Sequence, residues 1–421
     1  MKKTISLVLL MALTACGGSD DKKPTGCQID TSILPLDPNG IYKLTQWNID
    51  ANADGQAESC YHYTYDASGN MLTASEDRNA DDKQDSTATY TYDANGNMLT
   101  GSIDYNADGK PERIEKNTYD TNNNLLSKHK DVNGDGVDDA IYTYTYDIAG
   151  NQLTFTSDIN GDGIPNRIVT NTYDANNNIL STEIDSNGDG TAEIVTTNTY
   201  DANNNVLAVT TDSNNDGVAD KIVINTYDAN NNLLTREDDT NGDGITDDIE
   251  TYTYDANNNL IRFTSDIGAN GVLAKIYTFT YDANNNPLTK VYDQNGDGIV
   301  DKKYVYTYDA NGYLQSESYD LTGDGLYNVV HNYIFDANGN KLYEERDTNG
   351  DGVIDEIITC TFDANGNRLT SSYDADGDGT NEAVYSFTYD PNGNMLTYSI
   401  DDKADGKIDY IQSYAYAFFP L

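Results

Sequence analysis

Fourteen times along this 421-residue chain an aspartate opens a short run of oxygen donors, first at Asp50 and then every 27 residues to Asp401. The consensus is Asp-x-Asn-x-Asp-Gly-x-x-(Asp/Glu), intact at Asp131-Val132-Asn133-Gly134-Asp135-Gly136-Val137-Asp138-Asp139. Hard oxygens at positions 1, 3 and 5, with glycine at 6 for a sharp turn, suit a Ca²⁺ ion wrapped by a short loop. Asn-Gly and Asp-Gly also make plain turns without metal. Position 9 separates the two: a bare turn has no evident use for a carboxylate there, yet 11 of the 14 units supply Asp or Glu.

Nine loops are complete, and their expected ligand sets are Asp50, Asn52, Asp54 and Glu58; Asp104, Asn106, Asp108 and Glu112; Asp131, Asn133, Asp135 and Asp139; Asp185, Asn187, Asp189 and Glu193; Asp212, Asn214, Asp216 and Asp220; Asp239, Asn241, Asp243 and Asp247; Asp293, Asn295, Asp297 and Asp301; Asp347, Asn349, Asp351 and Asp355; and Asp374, Asp376, Asp378 and Glu382. The last is the most acidic. Asp82 replaces glycine in the Asp77 loop, and Asn166 and Asn328 end the Asp158 and Asp320 loops. The loops at Asp266, ending on Ala274, and at Asp401, with Lys403 at a ligand position, are expected to be empty. Position 12, where an EF-hand carries a bidentate Glu, is acidic only at Glu115 and Glu250, so these are not EF-hands. The loops resemble the Asp-x-Asp-x-Asp-Gly-x-x-Asp hairpin loops of integrin α-subunit propellers and, less closely, thrombospondin type 3 repeats. That resemblance implies one Ca²⁺ per loop, held by side chains 1, 3, 5 and 9 and carbonyl 7. The expected cofactor is therefore about nine weakly held Ca²⁺ ions.

What positions the loops is a second series with the same period. Tyr65, Tyr92, Tyr119 and their successors to Tyr416 are aromatic in every unit, and all but the last are followed by Asp. Most then read as Tyr92-Asp93-Ala94-Asn95-Gly96-Asn97-Met98-Leu99 does. Asn-Gly between alternating residues signals a β-hairpin, and a type I′ turn centred on Asn95-Gly96 sets Tyr92 opposite Leu99 and Thr91 opposite Thr100. Tyr142, Tyr144 and Tyr146 point one way and Thr143 and Thr145 the other, so one face is aromatic and one polar. These units resemble the YD repeats of the Rhs family, whose hairpins wind into a β-shell.

The expected fold is all-β: tandem 27-residue antiparallel hairpins, about 28 strands of about seven residues, with acidic loops on one edge and Asn-Gly turns on the other. An open sheet of that size cannot stay flat. A spiral or superhelical sheet is expected because every unit looks alike; the alternative is a seven-bladed propeller with two units per blade. Trp47, the only tryptophan, is expected to cap the array.

Residues 1–15 read as a signal peptide, with Lys2 and Lys3 before an apolar run, and Leu13-Thr14-Ala15-Cys16 resembles a bacterial lipobox. The resemblance implies lipidation of Cys16 and an outer-membrane lipoprotein facing the periplasm or the surface, partnered with the membrane through that anchor. Residues 16–35 read as a flexible tether and 36–421 as the repeat array. Cys27 and Cys60 could pair, while Cys360 stands where other units carry an aromatic.

A formal charge of −45 argues against a nucleic-acid partner. His62, His129 and His331 sit in no metal-ligand spacing, and no nucleophile elbow or phosphate loop occurs, so no enzyme is expected. The functional expectation is a calcium-stabilised structural or adhesive scaffold of the cell envelope. The alternative is a module that binds a glycan or peptide, with structural calcium.

Overall fold

The computed structural model describes residues 40–420. Every regular element among them is a β-strand, 28 in all, joined in one antiparallel sheet. Most strands are seven residues long, such as β2 (Ser59–Tyr65), β3 (Met71–Asp77), β4 (Ser86–Tyr92) and β5 (Met98–Asp104). Only β1 (Gly40–Asp50) and β28 (Tyr410–Pro420) reach 11 residues. These two pair with each other from Gly40↔Pro420 to Asp50↔Ile411. The sheet is therefore a closed barrel, neither a spiral nor a seven-bladed propeller. A propeller would divide the strands into separate sheets, and a spiral would leave two edges; here every strand is bonded on both sides.

The pairing register fixes the size of the barrel. Tyr61 faces Glu76, and Glu76 faces Ser86, whereas the 27-residue equivalent of Tyr61 is Ala88. Each hairpin thus slips by two residues, and around the ring the slips add to a shear of about 28 residues for 28 strands. Equal shear and strand number tilt the strands by about 35° and give a ring about 50 Å across but only about 20 Å tall.

Almost nothing in this ring resembles a conventional core. The buried apolar residues are Cys60, Ala80, Ala140, Val223 and Ala383, a set too small to hold 28 strands together. Cohesion comes instead from the ladder and from repeated side-chain pairs. On one face hydroxyls meet across ten of the thirteen Tyr-Asp hairpins, as in Thr91–Thr100 and Thr145–Thr154, both 2.6 Å. On the other face rings touch in series from Tyr252 through Phe263, Tyr277, Tyr292 and Tyr304 to Tyr319. The series tyrosines also tie one hairpin to the one before: the Tyr119 hydroxyl donates to the Met98 carbonyl and that of Tyr173 to Gln152.

Trp47 caps nothing, because a closed ring has no end. It stacks on Tyr61 at 4.6 Å and lies parallel to Tyr414 at 6.3 Å, bridging the first, second and last strands. Cys60 is fully buried and disulfide-bonded, while Cys360 is free. Cys16, Cys27, the signal peptide and the tether lie outside the described residues.

Candidate cation-binding rim

The strand ends divide into two rims. One carries the Tyr-Asp turns, which differ from the type I′ geometry expected of Asn-Gly. In each, the Asp93-type amide donates to the Asn97 carbonyl and Gly96 to the Asp93 carbonyl, leaving a three-residue loop. Gly96 alone takes positive φ, at 83°, with a register shift between Thr91 and Tyr92. This is a type I turn with a G1 bulge, so Thr91 faces Thr100 as expected but Tyr92 faces Met98 rather than Leu99. The aspartate selects this turn because its carboxylate accepts the amides of Asn95 and Asn97 and the Asn97 side chain. The Asn97 side chain and amide hold the Asp93 pKa below the ordinary carboxylate value. Where asparagine occupies the positive-φ place, its side chain accepts from the preceding turn, as Asn123 does from Asn97.

The opposite rim carries the fourteen acidic loops. In the Asp131 loop, Oδ1 of Asp131 accepts from Asn133 and Gly134 and Oδ2 from Gly136. Asn133 Oδ1 accepts from Asp135, and Asp135 Oδ1 from Val137. Burial raises the Asp131 pKa, but the amides of Gly136, Gly134, Asn133 and Asp135 together outweigh it and hold the group ionised. Side chains 1, 3 and 5 are therefore each turned onto backbone amides of their own loop.

Position 9 has a use that the sequence did not reveal. Its carboxylate accepts the amide of position 2, as Asp139 does from Val132 at 2.7 Å and Glu193 from Ser186 at 2.6 Å. Thirteen of the fourteen loops make this bond, including those where the acceptor is the neutral Asn166 or Asn328. Only Ala274 cannot. A carboxylate at position 9 thus has a use in closing the loop that requires no metal. Where position 3 is Asn and position 9 is Glu, the amide also donates to the second carboxylate oxygen, as Asn52 does to Glu58.

Three loops gather three or more carboxylates within 4.8 Å of one another: Asp374, Asp376, Asp378 and Glu382; Asp50, Asp54 and Glu58; Asp185, Asp189 and Glu193. These are the described acidic groups best placed to hold a metal ion. The other sets, at Asp104, Asp131, Asp212, Asp239, Asp293 and Asp347, keep the same loop scaffold, with Oδ2 of each opening aspartate taking the amide of position 6. So do the Asp266 and Asp401 loops, so the scaffold itself does not distinguish filled from empty.

Two further features of this rim are not evident from the sequence. Position 7 carries Val137, Ile164, Val218, Ile245, Val272, Ile299, Leu326 and Val353, each between 63% and 71% exposed, so aliphatic tips stand among the carboxylates. The loops also touch. A Cβ on Gly188 would lie 1.6 Å from the Pro165 carbonyl oxygen of the preceding loop, and one on Gly296 would lie 1.7 Å from that of Leu273. Their common 27-residue spacing was the available signal, since it places every loop beside its predecessor.

No family model and no curated protein matches the chain. Among solved structures it is similar to TcdB2-TccC3 without its hypervariable C-terminal region, at 15% identity and a TM-score of 0.41 over 83% of this chain. The chain spans about a fifth of that protein's length, 20%. The Photorhabdus luminescens Tc holotoxin pore matches at 13% identity and a TM-score of 0.37, covering 85% of this chain and 23% of that one. A porin-like protein from Bacteroides uniformis matches at 9% identity and a TM-score of 0.18, covering 89% and 98%.

Proposed function

We propose that this chain is a calcium-stabilised scaffold of the cell envelope, a lipid-anchored ring that presents its acidic rim for adhesion. The observation that carries this reading is the rim itself, where acidic loops recur hairpin after hairpin and those with glycine at position 4, such as Gly188 and Gly296, pack on the loop before them. β1 begins at the Tyr-Asp turn rim and ends at Asp50 on the acidic rim. Divalent ions relieve the repulsion of the loop carboxylates, and the aliphatic position-7 tips add apolar contact area to the same surface. Seven-residue strands rise about 20 Å, below the about 25 Å apolar band of membrane barrels, so the ring stands beside the bilayer rather than across it.

The test is thermal unfolding and small-angle scattering of the detergent-solubilised full chain, with calcium titrated against EGTA. Calcium is expected to raise the melting temperature and tighten the ring. A melting curve and scattering profile indifferent to chelation would remove the reading. Replacing Ile245 and Ile299 by Ser should lower calcium-dependent attachment of cells displaying the chain without moving the melting temperature.

A further inference from the structure

Within that reading, the fourteen loops are not equal. We infer that the loop from Asp374 to Glu382, between β25 (Arg368–Asp374) and β26 (Ala383–Tyr389), is a single high-affinity Ca²⁺ site, and that the other loops bind later and more weakly.

The asymmetry lies in which oxygens already have donors. In the other thirteen loops Oδ1 of the opening aspartate accepts at least one backbone amide of its own loop. Asp374 is 3% exposed, and its Oδ2 accepts from Gly379, but its Oδ1 is buried with no partner. A buried carboxylate oxygen without a donor is costly, and the group can be relieved only by a proton, a water or a cation.

Its surroundings favour the cation. Asp374, Asp376, Asp378 and Glu382 each place an oxygen within 4.8 Å of the others, the only described group of four. Position 3 makes the difference. Asn52, Asn106 and Asn187 each donate an amide proton to the position-9 Glu, which neutralises part of its demand. Asp376 has no proton to give, so Glu382 keeps the Ala375 amide but receives nothing from position 3. Four carboxylates, one of them with an orphan oxygen, remain with no cationic side chain ion-paired to any of them among the described residues. Four carboxylates converging within 4.8 Å suit Ca²⁺, which accepts an all-protein oxygen cage, better than Mg²⁺, which sheds its waters reluctantly and is usually held by one or two carboxylates.

The experiment is calorimetric titration of CaCl₂ into the chelator-treated full chain in detergent, with a separate titration of MgCl₂ alone. The wild type should give a first phase of one equivalent, at least about tenfold tighter than the weak phase, and Mg²⁺ should not reproduce it. Asp376→Asn restores the donor that other loops carry and should abolish that first phase while leaving the weak phase and the circular dichroism spectrum unchanged. Asp374→Asn should do the same; should that variant misfold, Asp376→Asn still decides. Uniform weak binding in the wild type, or a first phase that survives Asp376→Asn, would overturn the single-site inference and leave the general reading standing. No heat from either phase would remove both.

Discussion

If the acidic loops form one continuous rim, adding a methyl group where two of them touch must cost more than adding one where they do not. Gly188 and Gly190 lie in the same loop, both at positive φ, 74° and 92°. Either change to alanine imposes a left-handed residue with a Cβ, about 1–2 kcal/mol. At Gly190 nothing lies within 4 Å of the new atom, whereas at Gly188 it would sit 1.6 Å from the Pro165 carbonyl oxygen. Displacing that backbone adds about 1–3 kcal/mol. A cooperative unit of this size loses about 1.2 °C in melting temperature per kcal/mol. Gly190→Ala should therefore lower the melting temperature by about 1–2 °C and Gly188→Ala by about 2–6 °C in differential scanning calorimetry. Ala53, Ala80, Ala107 and Ala404 occupy the position of Gly188 in their own loops with φ of 47–53°, so the Gly188 variant can recover part of its cost by that rotation. Hydrogen exchange should show faster opening at Asn166, the last residue of the preceding loop, whose amide donates to the Ser157 carbonyl at the strand end. Equal melting shifts in the two variants would mean that the loops do not lean on one another.

Position 9 offers a clean separation of folding from binding. Asp139→Asn should change stability by no more than about 0.5 kcal/mol in the presence of EGTA, because Asn166 already makes the same bond to Ile159; Asp139→Ala should cost about 0.5–1.5 kcal/mol by removing the solvent-exposed bond to the Val132 amide, and equal losses would refute the assigned role. In acid, the Asp93, Asp147, Asp174 and Asp201 carboxylates, held low by the asparagine four residues on, contribute stability above the ordinary value of 3.8 that is lost as pH falls through their depressed values. A circular dichroism titration in EGTA should accordingly show the turn rim loosening below about pH 4, and a midpoint above pH 5 would contradict this origin. In base, burial pushes the Tyr65 and Tyr414 hydroxyls up to about 12, so their stabilisation is complete below pH 10 and disappears as pH passes 12. Tyrosinate absorbance should lag for this class, and titration of every tyrosine near 10 would exclude it. Deleting Tyr410–Pro420 should expose β1 and β27 (Met395–Asp401) as bare edges and produce aggregates by light scattering; a well-behaved monomer would show that closure is dispensable.

Local features are legible in the sequence because each repeats with a residue signature. The strand length, the hairpin pairing, the two rims and the Thr91–Thr100 contact all follow from the period and the alternation. Closure is not legible, because it accumulates from a bend of about 26° per hairpin that no single residue encodes. Its only marks are the longer first and last strands, and Trp47, which looks like an end piece, fastens the seam. At the acidic loops, position 9 looks like a ligand because its enrichment needs a cause; the Val132 amide supplies a second cause that spacing alone cannot show. The acidity of the Asp374 loop is plain from Asp376, but the missing donor to Asp374 Oδ1 depends on loop geometry.

The two-residue slip between successive hairpins bears on how such a molecule could change size. Because slip and strand count rise together with every unit, inserting or excising one 27-residue segment leaves the tilt of every strand as it was. Only the circumference changes, by about 12 Å per hairpin. Unequal recombination between these near-identical segments would then yield a graded series of wider or narrower hoops, each seamed by the same outermost pair, with gauge set by copy number alone.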